Sequence, residues 1–273
     1  MIKRKSSFFI IGILVALFFV SCSSQEYTTA KLAVQQSDFK KAAEWLPKAM
    51  AVEPDNPEIP LVLAVEIYAQ NGQWKEFIEM FNKAMSINPD KPVELRGAFA
   101  PVKEAVKNYT EFYWAAEFNA GVGQFKKIEE DPDNKLDYLE TAIIHFTNAS
   151  IINPTDANTH ATLAKCYFDK GDKKSARNAA LTAVKVNPES FDANFGAAQI
   201  LGRAGSPSIE ILPYYEKASA IEPSNSRALR ELASTYYDLG QKDKSISVFE
   251  DAISNEKDKI VKADLYFNLG VIH

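Results

Sequence analysis

Two cysteines and three histidines are the residues most able to do covalent or metal chemistry, and their spacing limits what that chemistry is. His145, His160 and His273 fall at intervals that fit no helical metal motif, and no cysteine pair accompanies them. Cys166 stands beside Tyr167 in an apolar stretch with no helix-start signal to acidify it, so it reads as a buried, inert thiol. The acidic run EEDPDNKLD places Asp131 and Asp133 in alternation, as a calcium loop does. Lys135 then replaces the third oxygen ligand, Leu136 the glycine and Ala142 the closing glutamate, so a solvated loop is the better reading. There is no glycine-rich phosphate loop, no Gly-x-Ser-x-Gly elbow and no matched acid pair, and Ser206 beside Pro207 reads as a turn. The residues therefore predict no catalytic residue, no metal, no cofactor and no small-molecule substrate; the chain is expected to bind and not to be an enzyme.

Cys22 stands apart. Lys3, Arg4 and Lys5 precede an apolar run from Phe8 to Val20, and small residues follow, which is the order of a secretory signal over residues 1–21. The run is 13 residues, short of the roughly 20 that cross a bilayer as a helix, so removal is expected in place of permanent insertion. The segment FVSC resembles a bacterial lipobox, with Phe19 where leucine is usual. That resemblance implies a lipidated Cys22 at the head of a short tether, 22–26, and a membrane partner through the acyl chains. It also implies the bacterial cell envelope, and Ser23, in place of an aspartate sorting signal, directs the expectation to the outer membrane.

Without Lys3, Arg4 and Lys5 the formal charge moves from −5 to −8, so no polybasic surface is offered to nucleic acid. With Cys22 modified, Cys166 has no thiol to pair with, and packing must supply the stability. A 46% apolar composition with only 11 glycines in 273 residues excludes a disordered chain and favours helices.

The elements that position any binding residues repeat. KAMAVEP ends at Pro54, KAMSINP at Pro89, NASIINP at Pro154, TAVKVNP at Pro188 and KASAIEP at Pro223, at spacings of 35, 65, 34 and 35 residues, and EDAISNEK carries a sixth copy with Lys257 for proline. Within each copy apolar and small residues recur at three- and four-residue steps on both sides of a turn glycine: Gly72, Gly171, Gly205 or Gly240. Ala49, Ala84, Ala149, Ala183, Ala218 and Ala252 hold one fixed place, five residues before each proline or its substitute, where only a small side chain lets two helices approach. HATLAKCYFDKGDKKSARNAALTAVKVNP and ALRELASTYYDLGQKDKSISVFEDAI closely resemble the tetratricopeptide repeat; Leu163, Ala164, Tyr167, Gly171, Ala176, Ala183 and Pro188 occupy its pattern. The resemblance implies an all-α solenoid, a right-handed superhelix of antiparallel helix pairs. The expected units are 1–2 over residues 27–91, an irregular extended repeat over 92–156, units 4–6 over 157–259, and the start of a further, truncated repeat over 260–273. In the irregular part a long first helix and a polar loop near Pro132 are expected, with Tyr109, Phe112, Tyr113, Trp114 and Phe118 covering a lengthened interface; the alternative for these aromatics is an exposed apolar site for a partner helix. YFNLGVIH matches the start of another first helix, and the natural chain is expected to continue past His273.

In the family so resembled, first helices line a concave groove. Carried over position by position, unit 2 offers Ile59, Val62, Glu66 and Gln70. The later units offer Asn158, Lys165, Phe168 and Asp169, then Asp192, Phe195, Gln199 and Arg203, then Arg227, Arg230, Tyr237 and Asp238. The cations Lys165, Arg203, Arg227 and Arg230, with Asn158, Phe168 and Tyr237, suit a protein partner presenting an acidic or carboxylate-ended extended segment. The expected role is a membrane-anchored, non-enzymatic scaffold in envelope assembly; the alternative is a regulatory or recruiting arm of a longer enzyme or sensor.

Overall fold

A computed structural model describes residues 23–272; the expectations for the signal segment, Cys22 and His273 lie outside the described residues. Helix pairs follow one another along the chain: α1 (Gln25–Gln35) with α2 (Phe39–Val52), then α3 (Glu58–Val62), which runs into a π-helical turn at Leu63–Tyr68, with α4 (Trp74–Ile87). A hairpin of β1 (Pro92–Leu95) and β2 (Ala98–Pro101) intervenes. The long α5 (Val102–Glu130) pairs with α6 (Lys135–Ile152) across a 3-10 turn at Pro132–Asn134. Then come α7 (Ala157–Lys170) with α8 (Lys173–Val186), α9 (Phe191–Ala204) with α10 (Ser208–Ile221), α11 (Ser226–Asp238) with α12 (Lys242–Asn255), and α13 (Lys259–Ile272). Gln25 and Glu26, expected within the tether, belong to α1, which Ser24 caps by accepting from the Tyr27 amide.

The same local chemistry starts or stops several of the helices. Asp38, Asp156, Asp172, Ser190 and Asn225 each accept a backbone N–H three residues on, satisfying a donor that the first turn leaves free. At the other end Gly171 and Gly205 adopt φ of +92° and +93°, and an added Cβ would meet nothing within 4 Å. Glycine is needed there for its backbone conformation and not for space.

The alanines at the fixed repeat place are all buried, at 0 or 1% exposure. The core is a row of adjoining clusters, each shared by neighbouring pairs, so stability is local, as in a solenoid. The N-terminal cluster is the largest and takes in Val93 and Leu95 of the hairpin, an element not expected from the sequence, together with Val102 and Ala105 of α5.

Helix α5 is welded to its neighbours by the aromatic run. Tyr113 packs against Trp74 and Phe77 with ring centroids 5.5 and 5.3 Å apart, and Trp114 against Phe118, which meets the fully buried Phe146 of α6 at 5.2 Å. Phe112 departs from the expected interface, being 61% exposed. At Gly121 an added Cβ would lie 2.8 Å from the Phe146 ring, so α5 and α6 touch there through a missing side chain. Helix α13 buries Leu265 and Ile272 against α12 and leaves Tyr266, Phe267 and Val271 exposed.

Candidate functional site

Helices α7, α9 and α11, the first helices of three successive pairs, line a cleft of about 340 Å³ together with Ala180 and Ala183 of α8. Its floor is apolar and small, with Ala161, Ala164, Ala193, Gly196, Ala197 and Ile200, because the close helix approach that buries the repeat alanines leaves no room for larger side chains. Its rim is polar: Lys165, Gln199, Arg203 and Arg227.

Two of these cations are held in place by aromatic faces. The Arg203 guanidinium lies 5.3 Å from the Phe168 ring centroid, and that of Arg227 lies 4.9 Å from Phe195. Such stacking fixes the head of a long side chain while leaving its edge donors free. Lys165, Arg203 and Arg227 form no ion pair with any described residue, whereas Arg177, Lys170 and Lys217 nearby are each matched to a glutamate. The cleft therefore holds three positive charges without an ion-pair partner among the described residues over an apolar floor, a lining suited to an anionic segment with small apolar side chains.

The remaining expected groove residues divide. Arg230 is spent on Glu231 at 2.8 Å and lies with Tyr237 in a separate recess bounded by α12 and α13. Asn158 is exposed and does not line the cleft. Phe195, expected on the groove surface, is only 7% exposed: Phe191 stacks on it at 5.4 Å, Tyr215 meets it edge-on at 5.7 Å and Arg227 covers it. It supports the cleft from behind. Burial also pushes the Tyr215 hydroxyl up to about 12. In unit 2, Ile59 is fully covered, and Val62 and Glu66 are each only 6% exposed.

The other chemistry-bearing residues are engaged locally. His145 Nδ1 meets Glu117 Oε2 at 2.7 Å, and His160 Nε2 meets the Pro154 carbonyl at 3.1 Å. Asp131 accepts from Asn134 and from the Tyr138 hydroxyl, which holds its carboxyl below the usual range. Cys166 is fully buried, and burial, with Asp169 adding to it, pushes its thiol up to about 12, the opposite of a nucleophile's setting.

Sequence reasoning missed one polar constellation. Arg96, at the hairpin tip, donates from Nε and Nη2 to the two carboxylate oxygens of Glu66 at 2.8 and 3.1 Å, and Tyr109 and Tyr113 of α5 stand beside the pair. The available signal was the alternation of Val93 and Leu95 before Arg96-Gly97, too short to stand out from a loop.

Family models of the tetratricopeptide repeat match residues 33–97, 162–226 and 226–259, the stretches in which the capped helix pairs and buried alanines recur. The chain belongs to the tetratricopeptide repeat family. The stretch between the first two matches holds the rest of the hairpin, the elongated α5 and α6, so the insertion falls where the repeat pattern lapses. Among solved structures, a MamA fragment (41-end) from Desulfovibrio magneticus RS-1 is similar at 18% identity, over 59% of this chain and 83% of that one, with a TM-score of 0.49. YrrB, described as a TPR protein with an unusual peptide-binding site, is similar at 15% identity over 82% and 98%, with a TM-score of 0.41. Yeast Tom70 is similar at 17% identity over 90% of this chain and 46% of that one, with a TM-score of 0.46. No curated protein matches the chain.

Proposed function

We propose that this tetratricopeptide repeat chain is a non-enzymatic scaffold that holds a protein partner by an acidic or carboxylate-ended extended segment in the α7–α9–α11 cleft. The observation that carries the reading is the convergence of Lys165, Arg203 and Arg227, unpaired with any described residue, on an apolar floor built from α7, α8 and α9. Two arginines whose planes rest on Phe168 and Phe195 present their forks at little further entropic cost, which suits bidentate capture of a carboxylate.

The same proposal puts the scaffold on a bacterial envelope membrane through a lipid on Cys22, at the outer membrane. The lipobox-like FVSC supports it, and so does the start of the fold: Ser24 caps α1, and its own backbone N–H donates to Glu53 at the end of α2. Only Ser23 then lies between Cys22 and the first anchored residue, a reach of about 7 Å for two residues at about 3.3 Å each. Such a link holds the first repeat at the bilayer and leaves the cation-lined cleft, three pairs further along, facing a partner.

The groove is tested with acidic peptides ending in a free carboxylate and with their amidated counterparts. The free-acid form should bind, and Arg203→Gln/Arg227→Gln should abolish the preference while circular dichroism stays unchanged. Equal binding of both peptides by both proteins would remove the site. For the anchor, labelled palmitate should enter the native protein and not Cys22→Ala.

A further inference from the structure

Measured from the turn glycines, Glu66, Lys165 and Gln199 hold the same repeat place, six residues before Gly72, Gly171 and Gly205. Lys165 and Gln199 line an open cleft; Glu66, on the corresponding face of unit 2, is 6% exposed. What covers it is the hairpin. β1 lies over α3, its Val93 and Leu95 are sunk into the N-terminal core, and Arg96 grips Glu66 through two hydrogen bonds while Nη2 also reaches the Val65 carbonyl at 3.4 Å.

Three local features are costly by themselves and make sense together. The turn is Arg96-Gly97 with φ of +51° and +79°, a conformation for which asparagine or glycine is the usual first residue, so arginine is present for its side chain and not for the turn. Glu66 places a carboxylate at a buried position that only a partner cation makes tolerable. The helix beneath it is π-wound from Leu63 to Tyr68, a local irregularity that turns side chains away from the regular α-helical positions. The hairpin itself is two strands of four residues, paired only to each other, and such a ribbon has little stability of its own. Backbone bonds from Val102 to Lys91 and from Lys103 to Pro89 close its base. Phe99 on its outer side is 75% exposed, and a cleft of about 440 Å³ remains between the tip and α1, lined by Lys31, Val34, Val62 and Glu94 and reaching Glu66 and Arg96.

We propose that residues 92–101 are a tethered, displaceable occupant of a second binding groove on α1 and α3, and that this groove selects a turn or extended segment carrying one arginine. The chain then has two grooves of opposite preference. The C-terminal one presents cations to an acidic segment, and the N-terminal one presents the Glu66 carboxylate, the Val65 carbonyl and two tyrosines to a guanidinium, and is filled in cis by Arg96. This inference does not rest on the acidic-peptide reading, because the two grooves share no residue.

The test replaces residues 92–101 by a glycine-serine linker in the full chain and adds a cyclised peptide of the sequence PVELRGAFAP. The linker protein should bind the peptide. Exchange of the peptide's arginine for alanine, or Glu66→Gln in the protein, should weaken binding about tenfold or more, the scale of a lost charge-assisted contact. A helical linker protein that ignores the peptide, or binds both peptides alike, overturns the proposal. Hydrogen exchange in the unaltered chain gives a second, independent reading should the linker protein not fold. Glu66→Gln should speed exchange of the amides of 93–100 while those of α4 keep their rates, and unchanged exchange across the hairpin would equally overturn it.

Discussion

Gly121 and Gly123 lie two residues apart on the same long helix, which puts them on roughly opposite faces, and the packing of α5 on α6 gives them opposite responses to one methyl group. At position 123 an added Cβ meets nothing within 4 Å, so Gly123→Ala removes only the backbone entropy that glycine brings to a helix interior and should stabilise by about 0.5–1 kcal/mol. At position 121 the same gain is opposed by contacts of 2.8, 2.9 and 3.0 Å with Phe146 ring atoms. That ring is fully buried and walled by Phe118 at 5.2 Å and Phe125 at 6.0 Å, so it has no open space to turn into. Overpacking a rigid core costs about 1–3 kcal/mol, which leaves Gly121→Ala net destabilised by up to about 2 kcal/mol. The difference between the two variants, about 1–3 kcal/mol, isolates the steric term because helix propensity cancels. Urea unfolding followed by tryptophan fluorescence reads it, since Trp114 lies on the same helix. Equal stabilisation of both variants would refute the account of how the irregular repeat docks.

Other consequences follow from the same packing and electrostatics. Ala218→Leu inserts three heavy atoms at a fully covered repeat alanine and should destabilise by about 1–3 kcal/mol in chemical unfolding, whereas the exposed Lys185→Leu should change little. Asp156→Ala removes the α7 cap and leaves the Thr159 hydroxyl, which receives the Trp114 indole N–H at 3.0 Å, without its acceptor. A loss of about 1–2 kcal/mol in thermal unfolding is expected. Because the Cys166 thiol is pushed up to about 12, an aromatic disulfide reagent at pH 8 should label it only as fast as the protein opens. The folded form also keeps this proton at pH values where the unfolded chain has lost it. Cys166 therefore adds stability that is present below its ordinary value and lost as pH rises toward 12, a loss that Cys166→Ala should reduce.

The helix pairs were legible because three demands recur along the chain: a small residue where two helices touch, in most pairs a glycine where the first helix ends left-handed, and in all copies but the last a proline beyond the second. Ala183, Gly171 and Pro188 carry that message without any knowledge of distant residues. The hairpin was not legible, since four-residue strands hold too few alternations, and the residue that anchors it, Arg96, contradicts the turn chemistry that usually announces a hairpin. Its partner Glu66 lies 30 residues away, and nothing local distinguishes a groove position that stays open, such as Lys165, from one that is covered. Phe195 misled for a related reason. Its repeat place points toward the groove, but Phe191, Tyr215 and Arg227 close over it, so register placed the residue correctly and neighbours decided its exposure. The gathering of Lys165, Arg203 and Arg227 was legible as charge, while the stacking that orients the two arginines needed the fold.

The central claim, that a partner segment is held between α7, α9 and α11, is tested most directly by placing a photo-crosslinking side chain at Gln199 in the cleft and, separately, at Lys185 on an exposed surface of α8. Irradiation with a free-acid acidic peptide should yield a covalent adduct from position 199 and not from 185, and Arg203→Gln/Arg227→Gln should remove it. Adducts from position 185 alone, or adducts at 199 that persist without the two arginines, would contradict the account.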